Sequence, residues 1–89
     1  MESLSSFCFN AGMPKHHDNF LQWFGSRVRG LRQQKGLSQE ELSQLAGIDR
    51  TYIGGVERGE RNLSLLNVKR LADALGINAK DLFDDDFEY

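Results

Sequence analysis

The stretch SQEELSQLAGIDRTYIGGVERGERN, residues 38–62, predicts two short helices joined by a tight turn. Ser38 opens a capping-box pattern, because a glutamate follows it three residues later, so the first of these helices begins there. Gly47 ends that helix, and Asp49 caps the next one, which runs to about Glu57. The turn between them is short and holds one apolar residue, which packs the two helices together at a steep angle.

Apolar residues at helical spacing predict one helix before this stretch and two after it. Asp18 is expected to cap the first helix, which ends near Gly36. Ser64 and Gly76 bound the fourth helix, and Asn78 opens a short fifth one. The apolar stripes consist of Phe20, Leu21, Phe24, Val28 and Leu31 in the first helix, Leu42, Leu45 and Ala46 in the second, Leu65, Val68, Leu71, Ala72 and Leu75 in the fourth, and Leu82 and Phe83 in the fifth. No segment alternates with a period of two, so the sequence predicts an all-α fold of five short helices around one core.

The 89 residues are enough for one domain and too few for two. Residues 1–17 show no sustained period and contain Pro14 as a breaker, so they are expected to form a flexible N-terminal arm. Residues 18–83 form the folded domain, and residues 84–89 form an acidic C-terminal tail.

Composition places the protein in the cytoplasm and argues against an enzyme. Hydrophobic residues make up 39% of the chain and charged residues 27%. No apolar run approaches the ~18 residues that cross a bilayer, and no signal peptide is evident. The single cysteine, Cys8, cannot form an internal disulfide, and the adjacent His16 and His17 cannot share one helix face as a metal pair would. We therefore expect no catalytic residues, no metal, no cofactor and no small-molecule ligand.

Charge is distributed unevenly along the chain, although the net charge is only −2. Residues 27–70 carry nine basic and five acidic residues, whereas residues 71–89 carry one basic and six acidic residues. A basic middle with an acidic end suits a protein that presents one face to a polyanion.

A short turn of this kind between two helices is typical of the helix-turn-helix motif, whose second helix enters the major groove of DNA. The segment RVRGLRQQKGLSQEELSQLAGIDRTYIGGVERGERNLSLLNVKRLADALGI resembles the Cro/cI-type (XRE) helix-turn-helix domain of bacterial and phage repressors, over about residues 24–83. Within that family, DRTYIGGVERGERNLSL looks most like the controller proteins of restriction–modification systems. The resemblance implies a lambda-repressor-like fold and a sequence-specific transcription regulator. It also implies a homodimer that binds double-stranded DNA at a pseudo-palindromic operator.

The resemblance implies that the start of the third helix reads DNA bases. Arg50 can donate in a fork to guanine O6 and N7, and Thr51 can offer a hydroxyl to a base edge or a methyl group to thymine. Tyr52 can reach a phosphate or press on a sugar. Asp49 is expected first of all to cap this helix, although it could also steady Arg50 or accept from cytosine N4.

Five further residues are expected to contact the DNA backbone. Gln39 matches a family position at the start of the second helix, where backbone N–H groups also face a phosphate. Arg61 and Asn62 match a loop that grips phosphate, and Arg27 and Arg29 add long-range attraction.

Two other groups of residues have structural roles by the same resemblance. Arg32 and Glu57 match an internal ion pair between the first and third helices, which we interpret as fixing the tilt of the reading helix. The dimer contact is expected to involve the fifth helix and its neighbours, including Leu65, Leu82 and Phe83.

The adjacent Gly54 and Gly55 are unexpected inside a helix, because each glycine costs about 1 kcal/mol relative to alanine. Two interpretations stay open: the bare surface lets DNA approach closely, or one glycine fits a tight packing site against another helix.

An alternative function is a protein-interaction module on the same fold, such as an antitoxin or an adaptor. In that case the acidic tail and the aromatic-rich arm would be the working parts.

Overall fold

The computed structural model describes residues 14–84, with the first five of these described by their backbone alone. The described chain forms four α-helices and one 3₁₀ helix and contains no strand. The helices are α1 (Pro14–Gln34), α2 (Gln39–Ala46), α3 (Arg50–Glu57) and α4 (Leu65–Leu75), followed by the 3₁₀ helix Ala79–Phe83. The predicted all-α class and the order of the helices are confirmed, although the fifth helix is a 3₁₀ turn.

Helix α1 begins earlier than the sequence predicted. It starts at Pro14, so Asp18 lies inside the helix and is not its N-cap. Proline is well suited to the first turn of a helix, because its fixed φ is helical and its missing N–H has no partner to lose there. Pro14 therefore starts a helix where it was interpreted as a breaker. Residues 1–13, which include Cys8, and residues 85–89 lie outside the described residues.

The predicted caps of the three middle helices are confirmed. The Ser38 hydroxyl accepts a hydrogen bond from the Glu41 N–H at 3.0 Å, and the Glu41 carboxylate accepts in return from the Ser38 N–H at 2.8 Å. Asp49 accepts from the Thr51 N–H at 2.9 Å, and Ser64 accepts from the Asn67 N–H at 3.1 Å. These bonds satisfy donors that a helix N-terminus otherwise leaves without a partner, so they fix where each helix begins.

The core forms where the apolar stripes of the helices meet. Its members are Phe24, Val28, Leu42, Ala46, Ile48, Ile53, Val56, Leu71, Ala72, Leu75 and Leu82. Leu45, which was placed on the apolar side of α2, is 62% exposed, and Ser43 is buried in the same helix instead. Ser43 satisfies its hydroxyl by donating to the Glu40 carbonyl at 2.7 Å, which makes its burial tolerable.

Helices α1 and α3 approach each other backbone to backbone at Gly25. A methyl group added there would overlap the carbonyl oxygen of Val56 and lie 2.7 Å from that of Glu57. Only glycine permits this separation, so Gly25 sets how closely the C-terminal end of α3 packs on α1.

Candidate nucleic-acid interface

The exposed end of α3 is its first turn. Arg50 and Thr51 are exposed and Tyr52 is half-buried, whereas Ile53 and Val56 face the core. The helix thus places the three predicted base-reading residues at its N-terminus, on the outside of the molecule. Burial of the apolar residues behind them holds the turn in place.

The carboxylate of Glu57, at the other end of α3, joins three segments of the chain. It forms the predicted ion pair with Arg32 on α1, in which Arg32 Nε lies 2.6 Å from Glu57 Oε2 and Arg32 Nη2 donates to Glu57 Oε1 at 3.0 Å. Glu57 Oε1 also accepts from Gln39 Nε2, at the start of α2, at 2.9 Å. Arg32 donates in addition to the Leu37 carbonyl at 2.8 Å. Two parallel bonds between a guanidinium and a carboxylate, with both groups largely buried, define a specific geometry.

Gln39 is therefore held against α3 by its hydrogen bond to Glu57. The resemblance predicted a contact to DNA backbone from this residue, and sequence reasoning missed the bond to Glu57. That bond turns the Gln39 amide nitrogen toward the ion pair and couples the first residue of α2 to α3. The sequence gives no signal for this bond, because Gln39 and Glu57 are far apart in the chain. Their contact depends on how α2 packs against α3.

Arg61 and Tyr52 come together on the outer face of α3. The Arg61 guanidinium carbon lies 5.5 Å from the centre of the Tyr52 ring, within the range of a cation–π contact. Asn62 follows on the exposed loop. The structure thus places two predicted DNA contacts, one from the helix and one from the loop, side by side.

Arg58 and Glu60 form a second ion pair, on the surface, which the sequence analysis did not assign. Arg58 Nε donates to Glu60 Oε2 at 3.1 Å, and Arg58 Nη2 donates to Glu60 Oε1 at 3.1 Å. These hydrogen bonds lower the pKa of the Glu60 carboxyl and raise the pKa of the Arg58 guanidinium. The pair places one carboxylate among the arginines at the C-terminal end of α3, where it reduces the local positive charge.

Arg27 and Arg29, which were predicted to add long-range attraction for DNA, both lie on α1. Arg27 donates from Nη2 to the carbonyls of Asp81 at 2.9 Å and of Asp84 at 3.4 Å, so it fastens the 3₁₀ helix to α1. The attraction of Arg27 for DNA stays a prediction, as does that of Arg29, which is exposed.

The predicted dimer contact needs a correction. Leu82 is fully buried within the protomer and cannot contact a second copy, because its side chain fills the core beneath α4. Phe83 is 43% exposed but stacks against Phe24 at 5.1 Å between ring centres, and Leu65 is 87% exposed. Leu65, at the start of α4, is the stronger of the remaining candidates, because it is twice as exposed as Phe83.

Comparison with known proteins agrees with this geometry. A model of the helix-turn-helix family matches residues 28–82, which is more than half of the chain. This chain belongs to that helix-turn-helix family. Among its relatives are control proteins of restriction–modification systems.

One such relative is the control protein C.BamHI of Bacillus amyloliquefaciens, which is 44% identical over 68 residues, or 75% of this chain and 84% of that protein. The crystal structure of the restriction–modification controller protein C.AhdI from Aeromonas hydrophila has a TM-score of 0.71 and 58% identity, and covers 72% of this chain and 97% of that one. The C.Esp1396I tetramer in complex with its natural 35-base-pair operator has a TM-score of 0.67 and 31% identity, and covers 72% of this chain and 84% of that one.

No helix among the described residues combines the length and the apolar character that a bilayer crossing requires.

Proposed function

We propose that this protein is a sequence-specific transcription regulator that binds double-stranded DNA as a homodimer, and that it serves as the controller of a restriction–modification system. It acts in the cytoplasm and carries out no catalysis. The observation that supports this most directly is the exposed first turn of α3, where Arg50 and Thr51 project from a helix that is fixed by the core and by its cap. A relative of the same fold, C.Esp1396I, is known as a tetramer on its operator DNA.

In this proposal the first turn of α3 enters the major groove. Arg50 donates to guanine, Thr51 contacts a neighbouring base edge, and Tyr52 presses on the sugar–phosphate backbone. Arg61 and Asn62 hold phosphate on one side, and the N-terminus of α2 with Gln39 holds it on the other. The phosphate contacts set the register of the helix in the groove, and the base contacts select the sequence.

Replacing both Arg50 and Arg61 with alanine is expected to abolish specific binding to the DNA upstream of the protein's own gene. A forked arginine–guanine contact is worth about 1–3 kcal/mol of discrimination, and each lost phosphate contact lowers the slope of log K against log salt by about 0.9. Fluorescence anisotropy with the upstream DNA and with a scrambled duplex, over a range of salt concentrations, measures both quantities.

The matched control is Arg70→Ala, which removes the same charge from an exposed position of α4 outside the proposed interface. It should bind nearly as well as the wild type. Equal losses in the control and in the double variant would mean that the effect is only general electrostatics. Undiminished binding by the double variant would refute the proposed reading helix. Binding to a protein partner alone would favour the alternative of an interaction module.

Dimerisation is expected to depend on Leu65. Replacing this exposed leucine with lysine should shift the protein toward monomer, because a charge desolvated in the centre of a contact is costly. Leu45→Lys makes the same change at another exposed leucine, on α2, and should leave the dimer intact. Sedimentation equilibrium distinguishes the two variants, and an unchanged dimer in Leu65→Lys would place the contact elsewhere.

A further inference from the structure

The two glycines of α3 are buried beneath side chains that fold back over the helix. Gly54 and Gly55 are both buried although they follow the exposed first turn. A methyl group on Gly55 would lie 2.9 Å from Arg61 Cγ and 3.0 Å from Arg61 Nε. On Gly54 its nearest neighbours would be Arg58 Nη1 at 3.2 Å, Arg50 Nη1 at 3.6 Å and Gln39 Oε1 at 3.7 Å.

This environment bears on both interpretations of the glycines, because side chains of this protein lie over the two positions. At a helix–helix packing site the nearest atoms belong to another backbone, as they do at Gly25. At Gly55 all three nearest atoms belong to the side chain of Arg61, on the loop after α3, so Gly55 does not serve the packing of two helices, whereas Gly54 also neighbours Gln39 of α2. Glycine is a poor helix former, and two of them in an eight-residue helix need a compensating role.

The two positions differ in how easily their neighbours can move. Above Gly54 lie the ends of flexible side chains, which can shift by a few tenths of an ångström. Above Gly55 lies the stem of Arg61, from Cγ to Nε, which is not the free end of the side chain, so making room for a methyl group requires the whole side chain to take another path from its backbone. The Glu60 N–H donates to the Gly55 carbonyl at 2.9 Å, and Gly59 turns the chain with a φ of 78°.

The route of the Arg61 stem explains where its guanidinium group lies. Tyr52 precedes Gly55 by three residues, so the two share one face of α3. The stem crosses the bare surface at Gly55 and delivers the guanidinium to the Tyr52 ring, 5.5 Å from its centre. Any side chain at position 55 would stand in this path.

We propose that Gly55 is a positioning residue for Arg61, whose stem it seats against α3 so that the Arg61–Tyr52 pair is assembled before DNA arrives. The inference rests on the proposed DNA-binding function and adds a residue that itself touches no DNA. A side chain that is already ordered loses less conformational freedom on binding. By ordering Arg61 in advance, Gly55 raises the affinity for DNA without adding a contact.

The test is a cycle of four proteins: wild type, Gly55→Ala, Arg61→Ala and the double variant. Gly55→Ala should weaken binding to the upstream DNA about tenfold and lower the salt slope by about one, as Arg61→Ala does. In the Arg61→Ala background the added alanine should change affinity less than twofold, because the residue that it displaces is gone. Gly30→Ala, in open space on α1, controls for adding a methyl group to a helical glycine and should bind like the wild type.

Thermal unfolding supplies a readout that needs no DNA. Alanine at position 55 should raise Tm more in the Arg61→Ala background than in the wild-type background, because only in the former does the gain in helix propensity come without a clash. Equal increases in Tm in both backgrounds would contradict the proposed role of Gly55. Wild-type DNA affinity in Gly55→Ala would contradict it too, as would a loss of affinity that the added alanine still causes in the Arg61→Ala background.

The outcomes separate the two proposals. Absence of specific DNA binding by the wild type would refute the proposed function, while the Tm cycle would still decide whether Gly55 seats Arg61. If Gly55→Ala fails to fold but the double variant folds, the clash with Arg61 is supported. If neither folds, Gly55 serves the fold itself and the inference is wrong.

Discussion

Replacing Glu57 with alanine is expected to lower the free energy of unfolding by about 3–5 kcal/mol. The reason is that Arg32 would keep its charge in a buried position without a partner: the two side chains are only 11% and 3% exposed. Gln39 would lose its acceptor as well. Since small domains are stable by only about 5–15 kcal/mol, this single change would remove a large part of the total. Urea denaturation followed by circular dichroism measures the difference.

Glu60→Ala is the matched control, because it breaks an ion pair of similar geometry on the surface. Arg58 and Glu60 are 60% and 57% exposed, and solvent screening leaves ion pairs this exposed with little effect on stability. The control should therefore be close to the wild type in stability. Similar losses in the two variants would show that burial does not govern the Glu57 pair.

The milder variant Glu57→Gln tests whether the pair also fixes the tilt of α3. Glutamine retains an oxygen acceptor but not the charge, so the domain should fold with reduced stability. DNA affinity should fall even where the protein is fully folded, because the reading helix is then less rigidly placed. If stability and affinity were both unchanged, the tilt hypothesis would be lost.

Replacing Gly25 with alanine is expected to destabilise the protein by about 3 kcal/mol, at the upper end of the range for overpacked cores. The added methyl group meets the carbonyls of Val56 and Glu57, which are backbone atoms and cannot move without shifting α3. Chemical denaturation should show a lower midpoint with an unchanged slope.

Gly30→Ala makes the same change on the same helix and should have the opposite sign. A methyl group at Gly30 meets no atom within 4 Å, so the variant should gain about 0.5–1 kcal/mol from the better helix propensity of alanine. If both variants were more stable than the wild type, α1 and α3 could not approach each other as closely at Gly25 as described.

The local features of this fold could be predicted from the sequence because they depend on residues close together in the chain. Ser38, Asp49 and Ser64 cap their helices through bonds that span two or three residues. Pro14 was misjudged even so, because proline both ends and begins helices, and the residues around it do not distinguish the two cases.

Features that depend on distant residues could not be predicted in the same way. The backbone contact at Gly25 involves carbonyls some thirty residues further along the chain, and the seat of Arg61 at Gly55 involves the path of a loop. Leu82 was assigned to a dimer contact because an apolar residue in a short terminal helix can pack either in the core or against a partner subunit. The structure places it in the core. The ion pair of Arg32 with Glu57 is the exception, and its prediction came from resemblance to a family.

The division of α3 into an outward first turn and an inward remainder has a consequence for how this protein can change over generations. In the proposed mode of DNA binding, substituting the exposed residues 50 and 51 alters target preference with little loss of stability. Residues 53 and 56 are buried in the core and stabilise the fold. After a gene duplication, the two copies could therefore come to bind different operators through a few substitutions on the surface. Every intermediate protein along that route would still fold.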